Sequence, residues 1–340
     1  MDPVVALKRI AYLLERERER TYRVRAYRNA AAVIDELPEG ELERRVRAGT
    51  LQDLPGIGEK TERVILEAVN GESPSYLRVL EEAPSAVPTL TGEAAALRGA
   101  QQGDCHTHSD WSDGGSPIDE MAEAARDLGH TWTVLTDHSP RLTIAKGLSP
   151  ERLRRQLAVV AEVNERLAPF RLLTGIEVDI NEDGTLDQDE ELLAQLDLVV
   201  ASVHSKLRMD RESMTRRMLL AVANPHVDVL GHCTGRLVVG RGRPESEFDA
   251  DLVFTACLHF DKALEVNSRP ERLDPPRRLL TRALEMGCKL AIDTDAHAPG
   301  QLEWQPYGCE RADECGADPD MVINTWDEAR LLAWTAGHTA

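Results

Sequence analysis

The sequence lacks paired cysteines, long apolar runs and a signal peptide pattern. No Cys-x-x-Cys pair occurs, and the six cysteines are scattered, at Cys105, Cys233, Cys257, Cys288, Cys309 and Cys315. We expect free, buried thiols, because a reducing compartment disfavours disulfides. No apolar run approaches the roughly 20 residues that span a bilayer, and no basic segment followed by an apolar one opens the chain. These absences argue against membrane and secreted proteins, and we expect a cytoplasmic protein with no membrane partner.

The sequence also has fewer basic than acidic residues, 40 Lys and Arg against 59 Asp and Glu, so the formal net charge is −19. The deficit is uneven: residues 1–75 hold 13 Lys and Arg against 14 Asp and Glu, a net charge of −1, so the rest of the chain carries −18. Within residues 1–30, eight basic residues face four acidic ones. Net charge therefore does not exclude a nucleic acid as partner, but any contact with one must be local.

The N-terminal part of the sequence has helical periodicity. Apolar residues recur at helical spacing over 3–20 and about 22–36, and shorter helices are predicted over 41–47 and after Lys60 as far as Val69. The run Leu54-Pro-Gly-Ile-Gly-Glu-Lys60 lies before the last of these helices. We predict a small all-α domain over residues 1–80, an Ala/Pro/Thr-rich linker over 81–100 and a second domain over 101–340.

In the second domain, short β-rich runs recur with helical segments between them. This alternation is typical of βα units and a parallel sheet or barrel. We predict seven strands, over Gly103–His108, Thr131–Thr136, Phe170–Val178, Leu196–Val203, Val227–Gly231, Ala263–Val266 and Lys289–Thr294.

Metal-binding side chains follow these runs, where each strand ends. The set comprises His106, His108, Asp113, His138, Glu177, His204, His232, Asp295 and His297. Imidazole and carboxylate together suit Zn²⁺, Mn²⁺ or Fe²⁺, and a carboxylate such as Glu177 can bridge two ions. Nine ligands are too many for one ion, so we expect two to three divalent transition metals (Zn, Mn or Fe) at this edge of the sheet.

Any one of these histidines could alone be structural. The remaining strand end carries Glu265-Val-Asn267, so all seven ends have ligand-type residues, and this favours a metal centre. Asp137 is expected to hold its neighbour His138 rather than to bind metal. The histidines outside the pattern are interpreted as structural, and they are His130, His226, His259 and His338. Cys105 and Cys233 lie next to predicted ligands, and we interpret both as packing residues rather than nucleophiles.

On these motifs, residues 103–300 resemble a PHP (polymerase and histidinol phosphatase) domain. The resemblance implies a distorted (β/α)₇ barrel with a trinuclear site that hydrolyses phosphoesters. Carried over motif by motif, the first metal is held by His106, His108, Glu177 and Asp295. Glu177 bridges to a second metal bound by His204 and His232, and a third is bound by Asp113, His138 and His297. Asp113 stands where some members of the family have another histidine.

Two basic residues near these motifs are candidates for contacting a substrate phosphate. Arg236 belongs to Gly231-His-Cys-Thr-Gly-Arg236, a motif that recurs in the family, and Lys206 lies just past His204. A solvated surface lysine is the alternative for Lys206.

The N-terminal domain resembles the helical domain at the front of family X DNA polymerases. The resemblance rests on Tyr22-Arg-Val-Arg-Ala-Tyr-Arg28 and on the helix-hairpin-helix element Leu54–Lys60. Such a hairpin presents backbone N–H groups to a nucleic-acid phosphate without reading bases. The candidate nucleic-acid contacts are Arg23, Arg25, Arg28, Gly56, Gly58 and Lys60; a purely structural turn is the alternative.

The chain departs from those polymerases in two ways. No polymerase palm lies between the two domains, so nucleotidyl transfer is excluded. In members with deoxyribose-phosphate lyase activity, a Schiff-base lysine lies four residues after the lysine of the hairpin, and this sequence has Val64 there. We therefore expect no lyase activity.

Three functions remain. The first is a metal-dependent phosphoester hydrolase that acts on DNA ends or single strands, as a 3′–5′ exonuclease or phosphoesterase in DNA repair. The second is a small-molecule phosphatase of the histidinol-phosphatase kind. The third is a non-enzymatic DNA-binding adaptor. The complete ligand set argues against the third, the N-terminal domain favours the first, and the charge of −18 on the rest of the chain favours a small substrate.

Overall fold

The computed structural model describes residues 1–338, which form two compact units divided between Val87 and Pro88. The first unit contains five helices: α1 (Pro3–Arg16), α2 (Thr21–Asp35), α3 (Glu41–Ala48), α4 (Glu59–Val69) and α5 (Ser75–Glu82). Asp2 caps α1 by accepting a hydrogen bond from the backbone N–H of Val5, and Pro3 opens the helix. The apolar stripe of α1, which includes Leu7, Ile10 and Leu14, is buried in the core of this unit.

The second unit alternates helices with parallel strands. In chain order its elements are α6 (Gly92–Ala100), α7 (Ile118–Asp127), β1 (Trp132–Leu135), α8 (Pro150–Leu167), β2 (Arg171–Asp179), α9 (Glu190–Leu193), β3 (Leu198–Ser202), α10 (Arg211–Val222), β4 (Val229–Leu230), α11 (Ala250–His259), β5 (Ala263–Asn267), α12 (Arg277–Met286), β6 (Lys289–Asp293), α13 (Gln305–Glu314) and α14 (Glu328–Gly337). The strands pair in the order β1 to β6, all parallel.

The predicted linker over 81–100 needs correction. Its second half is helix α6, which belongs to the second unit, where Leu97 packs into the main apolar core. The stretch Gly92-Glu-Ala-Ala-Ala-Leu-Arg is a good helix former despite the prolines before it. The separation between the units thus falls near the middle of the predicted linker.

The first predicted strand, over 103–108, also differs from the prediction. Within residues 1–338 it forms only isolated parallel bridges, from Thr107 to Leu135 and to Ala296. The N–H groups of Cys105 and His106 donate to the carboxylates of Asp293 and Asp104 instead of to a neighbouring strand. The segment still lies between β1 and β6 and joins the two edges of the sheet. The predicted distorted (β/α) barrel is confirmed, with six regular strands and one irregular segment.

Alternation along each strand places polar side chains in the barrel interior at the carboxyl ends of the strands. In β6, Leu290 and Ile292 pack outward against helices, whereas Ala291 belongs to a separate inner cluster. Asp293 follows Ala291 two residues later on the same face. In β2 the same spacing takes the inner face from Leu173 to Glu177. The barrel interior therefore changes from apolar to acidic at the carboxyl ends of the strands.

None of the helices within residues 1–338 combines the length and the apolar character that a bilayer crossing requires.

Candidate metal centre

The structure brings all nine predicted ligands to the carboxyl-terminal edge of the barrel. His106 and His108 come from the irregular segment, Glu177 from β2, and the others from loops that follow strands. The two histidines are fully buried, and Glu177 is 1% exposed. Only Asp113, with a side chain 37% exposed, lies at the open side of the cluster.

Glu177 lies at the middle of this cluster. Its Oε2 is 2.9 Å from His138 Nδ1 and 3.3 Å from His106 Nε2. Its Oε1 is 2.9 Å from His232 Nε2 and 3.1 Å from His204 Nε2. One carboxylate thus contacts four imidazoles within 3.3 Å through two oxygens, as a bridging ligand requires, and His108 Nε2 lies farther from Oε2, at 3.6 Å.

Potential ligand atoms converge in three groups. The first contains His106, His108 and Asp295, the second contains His138, Glu177 and His204, and the third contains His108, Asp113, His138 and His297. These groups overlap the predicted sets, except that His108 and His138 each belong to two of them. His232 belongs to none of the three, and within residues 1–338 its ring nitrogen Nε2 lies 2.9 Å from Glu177 Oε1.

The donor set fits divalent transition metals. His106 Nε2, both ring nitrogens of His108 and His204, and Glu177 Oε2 are buried with no hydrogen-bond partner. Buried polar atoms without partners are rare and costly in native proteins. Imidazole nitrogens and carboxylate oxygens that converge in this way are the ligands that Zn²⁺, Mn²⁺ and Fe²⁺ accept.

Electrostatic coupling within the cluster is strong. Burial alone would raise the pKa of Glu177, but the charges of His204 and His106 outweigh it and hold that pKa well below its usual range. For His204, burial opposes protonation, yet Glu177 and Asp179 raise the pKa to about 9. Burial, with His297 and His138 adding to it, holds the pKa of His108 well below normal. Without metal, Glu177 is therefore ionised and His108 neutral, whereas His204 carries a proton that it must release before its nitrogen can bind an ion.

Asp137 does not hold His138, contrary to the prediction. Its carboxylate accepts hydrogen bonds from the backbone N–H and hydroxyl of Ser109, the hydroxyl of Ser112 and the side-chain amide of Gln156. These donors come from the loop after His108 and from α8. Asp137 therefore fixes the loop that carries Asp113.

The predicted phosphate contact Arg236 points elsewhere. Its guanidinium donates to the backbone carbonyls of Arg272 and Leu273, and it lies 3.6 Å from Glu245. Nothing places this side chain against the nine ligands, so the assignment is not supported by the geometry. Lys206 is exposed, with its backbone in the left-handed region at φ 53°. Its predicted role stays a prediction.

Three residues in or just after β5 contact predicted ligands, although the sequence prediction assigned none of them a role. Glu265 Oε1 lies 2.6 Å from His106 Nδ1. Arg269 Nη1 donates to the carbonyl of Asp295 at 2.8 Å and lies 2.9 Å from His297 Nδ1. Arg272 Nε lies 3.1 Å from Asp295 Oδ2. The signal available was the run Glu265-Val-Asn-Ser-Arg269, a polar strand end like the other six.

In the first unit, the predicted hairpin has the expected exposed backbone. Gly56 adopts φ +86°, which favours glycine, and Gly56, Gly58 and Lys60 are all exposed. The N–H of Gly58 donates to the Thr61 hydroxyl at the start of α4, and the first-turn N–H groups of α4 have no partner within the helix. This geometry can receive a phosphate.

A cavity of about 520 Å³ lies beside the hairpin, and Arg23, Tyr27, Lys60 and Val64 are among its lining residues. Arg23 donates to the Tyr76 hydroxyl and pairs with Glu19.

Of the three predicted arginine contacts, only Arg25 is exposed. The predicted nucleic-acid contact at Arg28 needs correction, because its guanidinium binds both oxygens of Glu15 on α1 and its side chain is only 14% exposed. Such a bidentate pair commits Arg28 to joining α1 and α2.

No borohydride-trappable adduct is expected when the protein meets an abasic-site oligonucleotide. Val64 is 1% exposed, lines the cavity and cannot form a Schiff base. The measurement is reductive trapping followed by denaturing electrophoresis, with Val64→Lys as the comparison variant. A trapped band with the unchanged protein would show that another amine reacts.

Comparison with known proteins adds independent findings. Two family models match the chain, a helix-hairpin-helix domain over residues 2–73 and a PHP domain over residues 104–269. The DNA polymerase/3′-5′ exonuclease PolX of Bacillus subtilis (strain 168) is 40% identical over 226 residues, which cover 66% of this chain and only 39% of that longer protein. A probable phosphatase of Thermoanaerobacter sp. (strain X514) is 30% identical over 233 residues, covering 65% of this chain and 89% of that one.

Among solved structures, histidinol phosphate phosphatase from Lactococcus lactis, crystallised with zinc, L-histidinol and phosphate, aligns with a TM-score of 0.43 at 18% identity. The alignment covers 64% of this chain and 95% of that one.

The fold and the site together define a distorted (β/α) barrel with a residue cluster suited to divalent metals, and the family match and the probable phosphatase among the relatives identify the class as phosphoester hydrolase. The chain belongs to the PHP family and carries a helix-hairpin-helix domain at its N-terminus, as the motifs predicted.

Proposed function

We propose that the protein is a metal-dependent hydrolase of DNA ends or single strands, of the 3′–5′ exonuclease or phosphoesterase type, that serves DNA repair. The observation that carries this proposal is the union in one chain of a hydrolase site and a helix-hairpin-helix unit with exposed Gly56, Gly58 and Lys60. Such a unit binds the backbone of nucleic acid without sequence preference. The polymerase/exonuclease named among the relatives supports the same substrate class.

The proposed centre holds two to three ions of Zn, Mn or Fe on the nine ligands. When bound, such ions make a nucleophile of water near neutral pH and withdraw charge from phosphoryl oxygens. The contacts between Glu177 and four histidines fix the geometry of the buried ligands. Asp137 fixes the loop that carries the more exposed Asp113. The centre thereby opens on the side of Asp113, where a phosphoester can enter.

Covalent catalysis by cysteine does not fit this site. Cys105 and Cys233 are buried, and burial, reinforced by Asp293 beside the first and Asp274 beside the second, raises the pKa of each thiol well above its ordinary value. The thiolate is the nucleophilic form, so both side chains stay inert at neutral pH. Attack by water is therefore the chemistry that the residues support.

Arg269 is the proposed contact for the substrate phosphate, in place of Arg236. Its side chain is 23% exposed, and one of its nitrogens already reaches Asp295 and His297. Planar guanidinium donors match phosphate oxygens and stabilise charge that develops during hydrolysis.

Arg269→Ala is expected to lower kcat/KM on a small chromogenic phosphoester by about 100-fold, the usual effect of removing one donor to a developing oxyanion. Arg236→Ala removes hydrogen bonds to the Arg272 and Leu273 carbonyls, so we expect a lower Tm with kcat/KM changed by less than about threefold. Steady-state kinetics and thermal unfolding of both variants measure the two effects. The reverse pattern would return the phosphate contact to Arg236.

A small-molecule phosphatase is the second candidate. The relative that this chain covers over 89% of its length is named a probable phosphatase, and residues 76–340 carry the net charge of −18. An acidic surface repels a polyanion such as DNA. It favours a small substrate that is bound only through its phosphate at the proposed metal centre. Side-by-side assays of the metal-loaded protein on 3′-ended single-stranded DNA and on small phosphomonoesters decide between the two. Exclusive turnover of monoesters would refute action on DNA.

A further inference from the structure

We propose that Glu265 is a positioning residue that fixes His106 and His232 together, so that two ions depend on one carboxylate outside the ligand set. The inference rests on the metal centre proposed above and not on the identity of the substrate. Glu265 lies in β5 with 0% exposure. Its two oxygens contact two different predicted ligands. Oε1 lies against His106 of the irregular segment, and Oε2 accepts from His232 in the loop after β4.

The ring of His106 is oriented by this carboxylate. His106 Nδ1 lies 2.6 Å from Glu265 Oε1, so the proton of a neutral ring belongs on Nδ1. His106 Nε2 is then left as the lone-pair nitrogen; it is buried without a hydrogen-bond partner and faces Glu177 at 3.3 Å. A ligating histidine commonly donates its other N–H to a carboxylate in this way.

The backbone of His232 is fixed by the other oxygen. The N–H of His232 donates to Glu265 Oε2, while its ring Nε2 lies 2.9 Å from Glu177 Oε1. The preceding residue, Gly231, packs closely against Ser202, since a Cβ there would lie 2.3 Å from the Ser202 hydroxyl. The loop after β4 therefore has little freedom to move His232 once the bond to Glu265 is made.

Both oxygens of Glu265 already have partners among the residues of the site, Oε1 in the ring of His106 and Oε2 in the N–H of His232. Oε2 accepts a further hydrogen bond from the side-chain amide of Asn267 at 3.2 Å, and the same amide donates to Asp295 Oδ2 at 3.2 Å. Through Asn267 the carboxylate also influences a third predicted ligand. Glu265 can contact these residues because β5 pairs with β4 on one side and with β6 on the other.

The test measures Zn²⁺ affinity by competition with a chromogenic chelator. In Glu265→Ala we expect two ions to bind at least about tenfold more weakly, the usual cost of removing such a partner of a ligand. In Glu265→Gln we expect one ion to be affected, because the amide offers a single acceptor to two donors. In zinc-loaded protein, ¹⁵N shifts of His106 should report a proton on Nδ1 and a metal bond at Nε2, and this pattern should be lost in Glu265→Ala.

Asp228→Asn is the matched control. Asp228 is also a buried carboxylate that accepts a backbone N–H, from Val199, and lies 2.7 Å from the Nδ1 of a histidine, His338. It precedes β4, at the opposite end of the strands from the ligands. We expect Asp228→Asn to lower Tm but to keep the zinc affinities of the unchanged protein.

Wild-type zinc affinity in folded Glu265→Ala and Glu265→Gln overturns the inference. An equal loss in Asp228→Asn also overturns it, because the effect would then be general. If Glu265→Ala does not fold, Glu265→Gln decides alone. An unchanged protein that binds no zinc overturns the proposed centre itself, so the two failures are distinguishable.

Discussion

Glu177→Ala is expected to lose more than one metal ion per chain and to lower phosphoester hydrolysis by about 1,000-fold. The four imidazole contacts of Glu177 divide between its two oxygens, two histidines on each. Truncation therefore removes a ligand shared between neighbouring ions and leaves buried histidines without their counter-charge. Loss of metal-based stabilisation of several kcal/mol corresponds to a rate factor of about 1,000.

Metal content per chain, measured by plasma mass spectrometry after dialysis, checks this result. The unchanged protein should retain between two and three ions, as its overlapping ligand groups allow. Asp228→Asn, with a carboxylate remote from the ligands, should retain the same number. Full metal content in a folded Glu177→Ala protein would refute the bridging role, whatever the effect on activity.

Strand-end motifs made most of this site predictable. A parallel strand fixes its last side chains, and all such ends meet at one edge, so ligand-type residues at seven ends had to converge. Sequence position alone thus placed residues as distant as His106 and His297 in one cluster. Family resemblance supplied the bridging role of Glu177, and the structure places that carboxylate among four histidines.

Residues that act through side-chain partners were less predictable. Arg28 and Asp137 both sit in motifs, yet Arg28 pairs with Glu15, and Asp137 accepts four hydrogen bonds from Ser109, Ser112 and Gln156. The sequence shows which groups are available, but partner choice depends on rotamers and packing that only the fold determines. Glu265 lies at one of the strand ends that the sequence shows, but its partners, His106 Nδ1 and the N–H of His232, were not predictable for the same reason.

The irregular first strand had a similar cause. The run over 103–108 has the composition of a strand, but the N–H groups of Cys105 and His106 donate to the buried carboxylates of Asp293 and Asp104. Burial raises the pKa of Asp104 to about 6, and burial with Asp104 beside it raises the pKa of Asp293 well above normal. Local side-chain hydrogen bonds of this kind compete with regular pairing.

Replacing Arg25 and Lys60 together by glutamate should raise KM on a single-stranded oligonucleotide by at least about tenfold, while kcat on a small chromogenic phosphoester stays unchanged. Both side chains are exposed, and Lys60 lies in the first turn of α4. Each contact with a single-stranded phosphate contributes about 0.7 to the slope of log affinity against log salt, so losing two should reduce the slope by about 1.4. If the proposed metal centre acts on the small substrate without the first unit, the two measurements separate binding from chemistry.

The matched control replaces Arg9 and Arg44 by glutamate. Both are exposed arginines of the same unit, paired with Glu81 and Glu41, and the change in net charge is identical. If binding depends on the hairpin surface, the control should keep the oligonucleotide KM and the salt slope, since the contacts and not the overall charge determine both. Equal effects in the two variants would indicate a non-specific charge effect. No effect in either, in folded protein, would favour the small-molecule phosphatase, because such a substrate needs only the metals and Arg269.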